Sequence, residues 1–174
     1  MKTKDATPPP INKPRNGRRW VAHVLLILVV ALIVHTWRTQ PLATGLAPPL
    51  AGRLLHGGSI DLAQLRGETI LIHFWATWCP MCRMGDKDID NIAAEFHVVT
   101  VAMQSGGARE VAAYMASRGL NFPVILDEHG DLAADWGVVG VPASFVVDPQ
   151  GEIRFATLGY TTQIGLRGRL WAAQ

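Results

Sequence analysis

A chain of 174 residues holds one domain of ordinary size plus appendages, and its hydrophobic share of 49% sits near the soluble average while hiding one segment that is almost wholly apolar. A net charge of +2, with six basic residues in the first nineteen, excludes an extended nucleic-acid face. Two cysteines exclude a disulfide scaffold and paired-CxxC structural zinc, which leaves redox chemistry, metal binding or inert packing.

Residues 1–19 read as a basic, proline-containing tail: Lys2, Lys4, Lys13, Arg15, Arg18 and Arg19 stand against the single acid Asp5. Residues 20–37, WVAHVLLILVVALIVHTW, are apolar on every side from Val24 to Val34 and carry Trp20 and Trp37 at the edges. That pattern predicts a single transmembrane anchor with interfacial tryptophans rather than a buried core helix, which would keep a polar face. The basic flank puts the tail in the cytoplasm and the rest outside it. A signal peptide cut after Ala47 is the competing reading, and it exports the domain equally. Outside the cytoplasm a disulfide persists. Residues 38–52, with Pro41, Pro48 and Pro49, read as a linker.

The folded domain is expected over residues 53–174. Arg53–Leu55 and Ile60–Leu62 suggest a hairpin around a glycine turn. Thr69 to Trp75 is apolar enough for a central strand buried on both faces. Met84, Ile89, Ile92, Ala93 and Phe96 fall at helical spacing, so a helix should run from Cys79 to about Phe96. A strand over His97–Met103 follows, then a helix over Arg109–Arg118 ended by Gly119, an extended Pro123–Leu126 and a short helix Asp131–Trp136 ended by Gly137. Ser144–Val147 should pair antiparallel with Ile153–Thr157 across the turn Asp148–Gly151, and Thr161 or Thr162 can cap a last helix reaching Trp171. The order βαβαβαββα predicts an α/β fold: a central mixed sheet with helices on both faces.

The chemistry centres on Cys79-Pro80-Met81-Cys82. If Cys79 caps the helix, its sulfur meets unpaired amides and the positive end of the helix dipole, which lowers a thiol pKa from about 8.5 to between roughly 3.5 and 7.5. Cys82, one turn inside, is expected to be more buried and to resolve a mixed disulfide by attacking Cys79. Pro80 suits the first helical turn, and Pro80 and Met81 between the sulfurs should tune the potential. Val141-Pro142 precedes a strand; a cis bond there would set Val141's backbone beside the CxxC as an edge for an extended substrate. By base rate alone Pro142 would be an ordinary trans proline.

FWATWCPMC followed by a helix, GVVGVPASFVVDPQGEI some sixty residues on, and the N-terminal anchor together resemble the thioredoxin superfamily, more narrowly the membrane-anchored TlpA-like thiol-disulfide oxidoreductases. The resemblance covers about residues 50 to 174. It implies a thioredoxin fold, Cys79 as attacking thiol, Cys82 as resolving thiol, a redox-active Cys79–Cys82 disulfide as the sole redox group with no bound cofactor or metal, and Pro142 as cis-proline. It also implies a bacterial inner-membrane protein with its catalytic domain in the periplasm, protein thiols and disulfides as substrates, and a membrane electron donor. Trp78, Pro80, Met81 and Val141 would form the docking surface, with Trp75 as a flanking aromatic. Two positions depart from the family. His73 replaces the buried acid six residues before the first cysteine, and an imidazole there is a candidate base for Cys82. Gly85 replaces a glutamate that relatives reducing apocytochrome c carry three residues after the second cysteine, with Asp86 next to it as a residue expected on the solvated side. Reduction of apocytochrome cysteines is therefore the alternative, not the first reading. A second alternative is a soft-metal module using Cys79 and Cys82 with Met81 or Met84.

Overall fold

The structure is a computed structural model that describes residues 17–38 and 42–174, with side chains for 20–30 and 42–174. The chain divides into two compact units, Met1–Thr39 and Gln40–Gln174. In the first, helix α1 runs Gly17–Arg38, and from Leu25 to Val30 its apolar side chains stand exposed. Among the described residues no helix is long and apolar enough to cross a membrane. The expected span, 20–37, continues past Val30 into side chains outside the described residues, as does the expected tail up to residue 16.

The second unit holds a six-stranded sheet in the order β1-β8-β7-β4-β5-β6 and a separate two-stranded ribbon, β2-β3. The strands are β1 (Gly45–Leu46), β2 (Ala51–Arg53), β3 (Ser59–Asp61), β4 (Ile70–Trp75), β5 (His97–Met103), β6 (Val124–Asp127), β7 (Ala143–Val147) and β8 (Glu152–Leu158). The helices are α2 (Pro80–Ala93), α3 (Ala108–Arg118), α4 (Asp131–Asp135) and α5 (Gln163–Ala172). β4, β5 and β6 are parallel; β7 pairs antiparallel with β4, and β8 antiparallel with β7. From β4 onward the order is the expected βαβαβαββα, and the sheet is mixed.

All six residues of β4 are buried, as its near-continuous apolar run requires of a strand covered on both faces. The period of two sorts its side chains. Leu71 and Trp75 enter the core beneath α2, α3 and α5, with Ile89, Ile92, Val111, Met115, Leu166 and Leu170. Ile70, Ile72 and Phe74 enter the opposite core, with Leu50, Leu62, Ala133, Trp136 and Phe145. His73 has the parity of Leu71 and Trp75 and therefore faces the α2 side.

Three expectations are corrected. The linker expected over 38–52 is part of the fold from residue 43 on: the Ala43 amide donates to the Trp136 carbonyl at 3.0 Å, β1 pairs with β8, and Leu50 is buried. Proline and small residues read as a tether because backbone pairing to a distant strand leaves no local pattern. The early hairpin pairs Ala51–Arg53 with Ser59–Asp61, two residues earlier than expected on its first arm, because Leu54 and Leu55 turn to β6, where Leu54 bridges Ile125 and the Leu55 amide donates to the Val124 carbonyl at 2.9 Å; the second arm ends where Leu62–Leu65 winds into a 3-10 turn capped by Asp61. Finally, α2 ends at Ala93, and Met84, expected on the buried stripe, is 72% exposed; Ile89 and Ile92 carry that stripe into the core, with Ala93 and Phe96 partly buried against it.

Candidate active site

The loop from Ala76 to Cys79 leaves the C-terminal end of β4 and enters α2 with Cys79 as N-cap. The Cys82 amide donates to Cys79 Sγ at 3.1 Å, so the sulfur takes the place a serine or aspartate oxygen usually fills. Pro80 occupies the first turn, where no N–H is needed. Both cysteines are free thiols and both are buried. The expected contrast in exposure is small: Cys79 is 3% exposed and Cys82 2%. What separates them is surroundings. The Cys79 thiol points to the Val141 carbonyl at 3.5 Å, and the Val141–Pro142 bond is cis. Cys82 lies in a cleft lined also by His73, Met81, Gly85, Pro142, Ser144 and Tyr160. Burial and then a hydrogen bond to the Cys79 sulfur push the Cys82 thiol well above its ordinary range; a backbone hydrogen bond at Ala76 pulls it back down, and the charges at Cys79 and Asp86 add smaller upward pushes.

His73 pairs in register with Ser144 across β4 and β7, and its Nδ1 shares a 2.9 Å hydrogen bond with Ser144 Oγ. Burial lowers its pKa from 6.5 to about 4, so the ring is neutral at physiological pH. The void it shares with Cys82 measures about 10 Å³, close to the least that holds one water.

Trp78 and Met81 lie at the surface beside Cys79, 54% and 47% exposed. Trp78 is oriented by its indole N–H, which donates to the Gln104 carbonyl at 3.0 Å, and Gln104 itself adopts a φ of 46°. Trp75 departs from the docking role: it is buried, donates to Thr100 Oγ1 at 3.1 Å, and packs its ring against Tyr114 and Phe122.

Asp86 is the largest surprise. It is buried, not solvated, and its Oδ2 accepts from Tyr114 Oη at 2.6 Å and from Arg118 Nε at 2.7 Å. Arg118 also donates to the Arg83 carbonyl at 2.8 Å, which ties α3 to the first turns of α2. Burial and the bond to Asp86 push the Tyr114 phenol upward. Spacing offered one usable clue: Asp86 lies four residues after Cys82, on the same helical face. Its partners, in another helix, carried none. Among the described residues no three His, Cys, Asp or Glu side chains gather as a metal site.

The model of the AhpC/TSA family matches residues 45–156, more than half of the chain. The chain belongs to the AhpC/TSA family. Within this thioredoxin-like family it is 30% identical over 165 residues to the thiol:disulfide interchange protein DsbE of Yersinia pestis, covering 85% of this chain and 84% of that one. It is 28% identical to the thiol-disulfide oxidoreductase ResA of Bacillus subtilis over 150 residues, 80% and 84% of the two chains. Among solved structures, the thiol:disulfide interchange protein DsbE from Chlorobium tepidum superposes with a TM-score of 0.69 at 26% identity, covering 76% of this chain and 99% of that one. The AhpC/TSA match begins at the residue where β1 opens, and so agrees with the built-in residues 43–52.

Proposed function

We propose that this AhpC/TSA-family protein is a membrane-anchored thiol:disulfide oxidoreductase of the bacterial periplasm that reduces disulfides of exported proteins through the Cys79–Cys82 dithiol. The enzyme class follows from the family together with relatives that are thiol-disulfide oxidoreductases by name. The observation that carries the mechanism is the Cys79 sulfur capping α2, with Cys82 one turn inside and the Val141 carbonyl alongside.

In the cycle so read, the Cys79 thiolate attacks a substrate disulfide. A Cys79–substrate bond forms, the substrate S–S bond breaks, and one substrate thiol leaves after taking up a proton. The Cys82 sulfur then attacks Cys79, forming the Cys79–Cys82 disulfide and releasing the second substrate thiol. Two electrons pass to the substrate, and no cofactor beyond the disulfide takes part. Val141 supplies the backbone edge, and Trp78, Pro80 and Met81 the surface against which an extended segment lies. His73 is the group facing Cys82 that can receive its proton. In the resting dithiol its low pKa opposes transfer; in the mixed disulfide the hydrogen bond and charge at Cys79, two of the influences that raise Cys82, are gone.

The anchor rests on residues 20–37, on the basic flank before them, and on the exposed apolar side chains of α1, which need apolar surroundings. Outside the cytoplasm the oxidised pair has no soluble reductant pool, so the reductive direction requires a membrane dithiol donor. Reduction of insulin disulfides by the detergent-solubilised chain, with Cys79→Ser as control, tests the activity; equal rates for the two proteins would remove the proposal.

A further inference from the structure

The loop between β8 and α5 brings Tyr160, 78 positions beyond Cys82, to the cleft that holds the resolving sulfur. Gly159 has a φ of 97°, and its amide donates to the Pro142 carbonyl at 2.7 Å. That turn fixes the loop on the Pro142 segment, and Tyr160 lies across the first turns of α2. A Cβ added at Gly85 would stand 3.2 Å from Tyr160 Cε2 and 3.3 Å from Cδ2, so the ring rests directly on the glycine. Its hydroxyl donates to Asp88 Oδ2 at 2.9 Å. Asp88 is three residues beyond Gly85, on the same helical face. The ring is thus held at its face and at its tip.

Gly85 has no positive φ, and glycine inside a helix costs about 1 kcal/mol against alanine. Space for the ring, not backbone freedom, is what the glycine provides. The same ring lines the cleft that contains Cys82, His73 and Ser144, while 41% of Tyr160 remains exposed. One side of it meets solvent and the other borders that cleft, which offers only about 10 Å³ beside a Cys82 that is 2% exposed. As the cleft stands, nothing larger than a water fits in it beside Cys82.

We propose that Tyr160 is a specificity-determining residue for the exchange reaction: its ring, seated on Gly85 and tied to Asp88, shuts the side entrance to Cys82, so that an incoming disulfide meets Cys79 alone. This rests on the assignment of Cys79 as attacking and Cys82 as resolving thiol. Exchange selects a sulfur by access as well as by acidity. A disulfide admitted to Cys82 would form its mixed disulfide there and not on Cys79, the sulfur held 3.5 Å from the Val141 carbonyl.

The test uses the detergent-solubilised full chain with Cys79→Ser, which leaves Cys82 as the sole thiol, and measures its alkylation by iodoacetamide and by a bulky maleimide. Adding Tyr160→Ala is expected to raise the maleimide rate about tenfold or more and the iodoacetamide rate by a clearly smaller factor, because a shutter discriminates by size whereas acidity does not. Tyr160→Phe, which keeps the ring and drops the tether, should stay within about threefold of the parent rate for both reagents. Tyr160→Leu serves if the alanine variant loses its native circular dichroism. An equal factor for the two reagents, no change, or equal acceleration by the phenylalanine and alanine variants overturns the assignment. Turnover is not the readout, so a failed insulin assay would refute the functional proposal separately.

Discussion

Replacing His73 by glutamine should flatten the acid side of the domain's stability profile. His73 is buried, and burial lowers its pKa from 6.5 to about 4. Between those values the unfolded chain binds a proton that the folded chain refuses, so the contribution of this site is intact above pH 6.5 and is lost as pH falls toward 4. At about 1.4 kcal/mol per unit, the full loss is roughly 3 kcal/mol, of which about 2 kcal/mol has gone by pH 5. Glutamine removes the titration while keeping an amide to meet Ser144 Oγ, the partner of Nδ1 at 2.9 Å. The assay is urea unfolding of residues 40–174, a unit with its own two cores, for parent and variant at intervals from pH 8 to pH 5. The parent should lose about 2 kcal/mol relative to His73→Gln across that range. Parallel curves would refute the reasoning, because they would mean that His73 keeps its ordinary pKa in the fold.

Asp86→Asn removes the charge that Arg118 faces and should cost about 1–3 kcal/mol, below the range for a fully buried pair because Arg118 is 34% exposed; it should also let Cys82 alkylate at lower pH, since the carboxylate helps raise that thiol. Unchanged unfolding and an unchanged Cys82 pH profile would contradict both statements. Ile92→Ala empties a site that is 0% exposed in the α2-side core and should destabilise by roughly 2–5 kcal/mol in denaturant titration; a loss under about 1 kcal/mol would show that the core refills the space. Thr162→Ala deletes the α5 cap, whose hydroxyl oxygen accepts the Gly165 amide at 3.3 Å, for a loss near 1 kcal/mol by the same titration.

Much of this fold is local in origin. The apolar run into β4, the cap-then-proline entry to α2 and the turn between β7 and β8 each announce themselves within a few residues, so the central sheet and the CxxC were legible. His73 was singled out by the resemblance, as the residue in place of the family's buried acid, and the parity of β4 turns it to the α2 side. Other features depend on residues distant in sequence. Nothing near Asp86 marks Tyr114 and Arg118 as its partners, since they reach it across 28 and 32 positions. Gly85 reads as a missing glutamate until the Tyr160 ring is seen lying over it. Residues 43–52 look like a tether because their order comes from β8, the Trp136 carbonyl and the core around Leu50. Trp75 and Trp78 stand three positions apart and share a motif, yet one is core and the other surface, a division made by where β4 ends.

The division of labour between the two sulfurs is the central claim, and trapping the mixed disulfide tests it most directly. Cys82→Ala, mixed with a disulfide-linked peptide, should accumulate a reductant-sensitive adduct on Cys79, whereas Cys79→Ala should form its adduct at least about tenfold more slowly. An adduct that forms as fast on Cys82 in the Cys79→Ala variant would contradict the account.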